Sequence, residues 1–263
     1  SPPPAPDPAD DRIRVLVCDD SALIRSVLCR ILQSDPSIIV VGRAANGAEA
    51  LAAVAAAQPE VVVLDIEMPV MDGLTALPRL LARDPSLKVL MASTLTTRGA
   101  DIALHALRLG AADYVPKPST IGAVGGDARF RQELLEKIRG LARLRRLRPQ
   151  PPTPLRPPVI GGRPAPRLPP QVIAIGSSTG GPQALFTLFQ ALGRRLRVPV
   201  LVTQHMPAAF TRALAEHIDR LGGPSCAEAV EGEALRPGHV HLAPGDHHLT
   251  VRAAPDGLRV ALS

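Results

Sequence analysis

The chain has 263 residues, room for two ordinary domains, and its 46% apolar content is enough for packed cores, which excludes a wholly disordered protein. Aromatics make up only 2% with no Trp, so the cores must rest on Val, Leu, Ile and Ala, a composition suited to buried parallel strands covered by helices. Cys18, Cys29 and Cys226 lack metal-ligand spacing and form no disulfide framework. No apolar run nears the roughly 18 residues of a membrane span, and the Pro- and Asp-rich start is unlike a signal sequence, so a cytoplasmic protein without membrane insertion is expected.

The net charge of +6 is local in origin. Lys137, Arg139, Arg143, Arg145, Arg146, Arg148, Arg156, Arg163 and Arg167 supply nine positive charges in a stretch without acids, so the rest of the chain is mildly acidic. A solvated basic connector is the first expectation and a docking surface for an acidic partner the second. Nucleic acid is not expected as a partner.

Residues 1 to 11 read as a disordered start. From Arg12 the pattern predicts strand Ile13 to Val17, then Cys18-Asp19-Asp20-Ser21, with Ser21 capping a helix to about Gln33. Strand Ile38 to Gly42, helix Gly47 to Ala57, strand Val61 to Leu64 and helix Gly73 to Arg83 follow. Strand Lys88 to Ala92, helix Gly99 to Leu109 and strand Asp113 to Val115 complete five β/α units, which predicts a doubly wound, five-stranded parallel sheet over residues 12–128. Residues 129–170 read as a linker: a basic helix, about Phe130 to Leu147, then a segment too rich in Pro to fold compactly. A second α/β domain is expected over 171–263, with strand Val172 to Ile175, helix Gln183 to Leu192, strand Val198 to Thr203 and helix Ala209 to Leu221. Three strands should end it, His239 to Leu242, Leu249 to Ala253 and Leu258 to Leu262, the last two joined across Pro255-Asp256-Gly257.

In a doubly wound sheet, functional groups gather beyond the carboxyl ends of the strands. Asp19 and Asp20 end the first strand, Asp65 the third, and Ser93 and Lys117 follow the fourth and fifth. Carboxylates so gathered would repel one another, which implies a hard divalent cation, Mg²⁺ by preference. A carboxylate beside such an ion can attack a phosphoryl donor while Lys117 balances charge on the transferred oxygens. The segments Val15-Leu16-Val17-Cys18-Asp19-Asp20-Ser21, Leu64-Asp65-Ile66-Glu67-Met68-Pro69 with Asp72-Gly73, and Tyr114-Val115-Pro116-Lys117-Pro118 resemble the flavodoxin-like response-regulator receiver family. The resemblance implies phosphorylation of Asp65 and Mg²⁺ held by Asp20, Asp65 and the Glu67 carbonyl, with Asp19 acting through water. It also implies a switch pair, Ser93 and Tyr114, and a histidine kinase as phosphodonor.

Gly176-Ser177-Ser178-Thr179-Gly180 lies between a predicted strand and a predicted helix, the setting of a nucleophile elbow. Ser178 would project at the sheet edge, with backbone N–H groups at the helix start available to an oxyanion. A phosphate-binding glycine loop is the competing reading, but no lysine follows in P-loop spacing. His205, closing the next strand, would lie at the same edge as a general base. His239, His241, His247 and His248 have no convincing partners for a metal.

These segments, with Thr203-Gln204-His205-Met206-Pro207 and Leu242-Ala243-Pro244-Gly245-Asp246-His247-His248, resemble the catalytic domain of chemotaxis protein-glutamate methylesterases, the CheB family. That implies Ser178 as nucleophile, His205 as base and the Thr179 N–H as oxyanion donor. The substrate would be methylated glutamates on chemoreceptor cytoplasmic domains, and glutamine deamidation a second activity. The family's triad acid is expected downstream of Ser263. Asp246 and Asp256 do not match its motif, so the acid is unassigned and the chain is expected to be truncated and weakly active or inactive. A non-enzymatic phospho-switch adaptor is the alternative. A DNA-binding regulator fits less well, since the basic charge is confined to the linker.

Overall fold

Each of the first four helices starts where a short polar side chain accepts an N–H of the first turn, an arrangement worth about 1 kcal/mol per cap. Ser21 accepts from Ile24, Asn46 from Glu49, Asp72 from Thr75 and Thr96 from Gly99. The computed structural model describes residues 11–93, 96–117, 128–147 and 170–263; the start at 1–10 and the Pro-rich tether at 148–169 lie outside the described residues. In order come β1 (Ile13–Cys18), α1 (Ala22–Gln33), β2 (Ile38–Ala44), α2 (Gly47–Ala57), β3 (Val61–Asp65), α3 (Gly73–Arg83), β4 (Lys88–Ser93), α4 (Thr97–Arg108), β5 (Asp113–Pro116) and α5 (Ala128–Arg146). The five strands pair in parallel in the order β2-β1-β3-β4-β5. This is the doubly wound arrangement, and its order reverses beside β1 and β3, which end in Asp19 and Asp65.

The basic helix departs from the expectation. It is the last helix of the first domain rather than part of a connector, because Phe130, Leu134, Leu135, Ile138, Leu141 and Ala142 are buried against Val15, Val17, Val61, Val63 and Leu90. Nor is its charge simply solvated. Arg139 Nε donates to Asp35 at 2.8 Å, Arg145 pairs with Asp84 at 2.8 Å, Arg146 with Glu60 at 2.6 Å, and Lys137 with Asp113 at 3.4 Å. The apolar stripe decides where the helix packs, and acids of the same domain then meet its basic flank. Charge counted along the sequence had concealed this.

The second half comprises β6 (Ile173–Ser177), α6 (Gly181–Leu192), a 3₁₀ turn (Gly193–Arg195), β7 (Val200–Gln204), α7 (Ala208–Asp219), β8 (Ser225–Glu228), β9 (His239–Leu242), β10 (Leu249–Ala254) and β11 (Gly257–Leu262). Four strands form a parallel sheet in the order β6-β7-β9-β8, and β10 and β11 pair as a separate antiparallel hairpin. Strand β8, absent from the sequence reading, pairs only with β9 among the described residues.

The two halves share an apolar cluster. Leu104, Leu107 and Tyr114 belong to it with Phe186, Phe189, Phe210 and Leu214. Among the described residues no helix is long and apolar enough to cross a membrane.

Candidate active sites

The first site lies at the carboxyl ends of β1, β3 and β5. Asp19 and Asp65 are buried and Asp20 is exposed, and the three can each offer an oxygen with all three atoms within 4.8 Å of one another. Lys117 Nζ approaches Asp65 Oδ1 at 2.7 Å and Asp19 Oδ2 at 2.9 Å. Burial pushes the Asp65 carboxyl up to about 6, Lys117 pulls against that rise and Asp19 adds to it. Burial also works to lower the Lys117 ammonium, but its hydrogen bonds to Asp65 and Asp19 prevail and hold it above its ordinary value. Asp65 Oδ2 is buried with no hydrogen-bond partner among the described residues. A hard cation with oxygen ligands fits that orphaned oxygen and the carboxylates gathered around it.

Both expected switch residues are tied to elements beyond the pocket. Ser93 Oγ donates to Gly99 O at 2.9 Å, which joins the end of β4 to the first turn of α4. Tyr114 is 1% exposed and its hydroxyl has no partner among the described residues. Its ring stacks on Phe210 of α7, with centroids 4.4 Å apart and planes 7° from parallel, and Lys137 Nζ lies 4.7 Å from its centroid.

The second site arises from strand register. Parallel pairing sets Ser177 opposite Gln204, so the residues that follow, Ser178 and His205, leave the sheet side by side. Buried Gln204 ties the two segments together. Ser177 Oγ donates to Gln204 Oε1 at 2.7 Å, and Gln204 Nε2 donates to Ser178 O at 3.0 Å and His205 O at 3.1 Å. The His205 N–H closes the arrangement on Ser177 O at 3.0 Å. A Cβ on Gly181 would lie 2.0 Å from Gln204 Oε1, so only glycine lets α6 start here, and Gly180 reaches it with φ +73°.

Ser178 and His205 are both exposed. No hydrogen bond joins the Ser178 hydroxyl to the His205 ring among the described residues; catalytic pairs are often loose before substrate arrives. Thr179 and Gly180 lie at the N-terminus of α6, where the helix dipole favours developing negative charge, and the Gly180 N–H donates to Asp113 Oδ2 at 3.2 Å. Gln204 was quoted in the sequence motif without a role. A buried Gln beside a candidate base was the available signal.

Three of the other histidines have other occupations. His239 Nδ1 meets Ser225 Oγ at 2.7 Å and its Nε2 meets the Arg236 guanidinium at 3.1 Å, which places the ring proton on Nδ1. His241 Nδ1 meets Glu233 at 2.9 Å, and His247 Nδ1 meets Gly245 O at 2.9 Å. Asp246, with φ +62°, sits in a loop pinned to the start of α7, where a Cβ on Gly245 would lie 2.4 Å from Ala208 Cα. Asp256 pairs with Arg259 in the hairpin turn.

Comparison with known proteins finds a family match in each half of the chain. Residues 15–124 match the family model for the response regulator receiver domain, and residues 173–263 match that for the CheB methylesterase. A protein-glutamate methylesterase/protein-glutamine glutaminase of Paramagnetospirillum magneticum is 48% identical over 269 residues, covering 94% of this chain and 71% of the relative. One from Azospirillum brasilense is 48% identical over 277 residues, covering 95% and 70%. A third, of the group 2 operon of Rhodospirillum centenum, is 49% identical over 273 residues, covering 94% and 69%.

Proposed function

The chain belongs to the CheB family of protein-glutamate methylesterases and protein-glutamine glutaminases, and from that premise we propose that it hydrolyses glutamate methyl esters on chemoreceptor cytoplasmic domains under control of phosphorylation at Asp65. The Ser178 hydroxyl attacks the ester carbonyl as its proton passes to His205. The tetrahedral oxyanion is held by backbone N–H groups at the start of α6, Thr179 first. Its collapse expels methanol, which takes the proton back from His205; water then releases the glutamate and restores the serine. Attack on a glutamine side chain by the same steps would release ammonia.

In the receiver, a carboxylate oxygen of Asp65 accepts the phosphoryl group from a chemotaxis histidine kinase. Lys117 balances charge on the transferred oxygens. Asp20, Asp65 and the Glu67 carbonyl would hold Mg²⁺, with Asp19 acting through a bound water; the ion, when bound, neutralises the carboxylates and the incoming phosphoryl group.

The observation that carries the esterase reading is the Gln204 clamp, which holds Ser178 and His205 at adjoining strand ends. In a form of the protein that includes the expected triad acid, Ser178→Ala and His205→Ala should each abolish methanol release from methylated receptor while leaving the circular dichroism spectrum unchanged. Near-normal release from either variant removes that residue from the mechanism.

A further inference from the structure

The loop from β3 to α3 holds a backbone that its own sequence resists. Val70 has φ +66°, in the left-handed region that a β-branched residue rarely enters. The Met71 N–H donates back to Pro69 O at 2.7 Å, which closes a three-residue turn around Val70 in the rarer, strained hand. The surroundings keep it there. At the base of the loop the Gly73 N–H donates to Ile66 O at 2.8 Å, and from the start of α2 the Gly47 N–H donates to Met71 O at 2.9 Å. A Cβ on Gly73 would lie 2.0 Å from Asp65 O, so the far end of the loop is seated on the candidate phosphoacceptor itself.

Glycine would adopt this conformation without a steric penalty. The chain instead places a valine there and leaves it in water: Val70 is 88% exposed, more than any other large apolar side chain among the described residues. Nothing inside the receiver is gained by it. Asp65 is 2% exposed, so a protein that brings a phosphoryl group to it must close over the loops around the pocket mouth. Asp20 and Glu67 are exposed on those loops and offer negative charge, whereas Val70 offers apolar area already fixed in place. A contact that needs no ordering on binding loses little conformational freedom. A small phosphodonor has no surface with which to reach it.

Resting on the reading of Asp65 as phosphoacceptor, we propose that Val70 is a docking anchor for the protein phosphodonor, covered by the apolar surface around the donor's phosphohistidine. In the docked pair the donor's N–P bond breaks, an Asp65 O–P bond forms, and the released imidazole takes up a proton. The valine therefore separates two classes of donor. It serves a phosphorylated protein and is idle for a small molecule.

The test labels the full chain, with Mg²⁺ present, from two donors: phosphoramidate, and a chemotaxis histidine kinase autophosphorylated with radiolabelled ATP. In Val70→Gly the kinase concentration giving half-maximal transfer should rise about 10-fold, the worth of one Val side chain left in water. Val70→Asp should raise it further, since docking would bury a carboxylate. Val70→Leu keeps the apolar area and should transfer like wild type. Labelling by phosphoramidate should be the same in all four proteins, and the urea midpoint of Val70→Gly should not fall below wild type, because glycine enters φ +66° without strain. Wild-type half-saturation by the kinase in both Val70→Gly and Val70→Asp overturns the proposal. So does slowed labelling by phosphoramidate, which would make the turn part of the phosphoryl pocket rather than of a docking surface. If wild type takes no label from either donor, the phosphoacceptor reading fails and the anchor falls with it; label from phosphoramidate with none from the kinase removes the anchor alone.

Discussion

Replacing Gln183 by alanine removes a contact that lies wholly between the two domains. Its half-buried Nε2 donates to Ala111 O at 2.5 Å, in the segment linking α4 to β5, and to Leu107 O at 3.2 Å, in the last turn of α4. A neutral hydrogen bond contributes about 0.5–1.5 kcal/mol net. The two bonds share one amide nitrogen, so docking should weaken by about 1–2 kcal/mol and the separated population should rise about 5- to 30-fold. The chain supplies its own reporter: it has 1 Tyr and no Trp, so intrinsic emission comes from Tyr114, stacked on Phe210 at the same interface. In Gln183→Ala the urea midpoint of the Tyr114 signal should fall, and basal esterase activity should rise toward the phosphorylated level. Gln183→Glu should lower the midpoint further, since a carboxylate would face two carbonyl oxygens. A midpoint equal to wild type in both variants would show that the α6 contact contributes nothing to docking.

Incubation with a small phosphodonor and Mg²⁺ should label wild type and leave Asp65→Asn unlabelled; equal labelling places the acceptor elsewhere. His239 gives a pH prediction with a definite sign. Burial, aided by neighbouring His241 and Arg236, lowers its pKa from 6.5 to about 4, so the unfolded chain takes up a proton near pH 6.5 that the folded chain refuses until near pH 4. Its contribution is fully present above pH 6.5 and is lost as pH falls to 4, about 3 kcal/mol over that window. His239→Gln should flatten that part of the pH–stability curve in chemical denaturation, and an unchanged slope would argue against a buried neutral ring. Gly181→Ala puts a Cβ where Gln204 Oε1 lies, so it should cost about 1–3 kcal/mol and reduce methanol release with Ser178 and His205 intact. Wild-type release from that variant would mean the Gln204 clamp does not position the pair.

Residues whose role is local could be read directly. Ser21 caps α1, glycines at 180 and 181 permit the turn into α6, and Asp19, Asp65, Ser178 and His205 all follow apolar strand runs, so their position at a sheet edge was implicit in the alternation of strands and helices. Family motifs supplied roles that spacing alone left open. What escaped was non-local. Strand β8 is four residues, Ser-Cys-Ala-Glu, with no period of its own, and it becomes a strand only because β9 offers an edge. The basic stretch read as a connector because a run of arginines looks solvated, and only the fold brings Asp35, Glu60 and Asp84 to its side. Gln204, Asp113, Gln183 and Phe210 carry no motif that marks them. Each acts on a residue distant in sequence, through strand register or the packing of one domain on the other, and such contacts exist only once the backbone has brought the partners together.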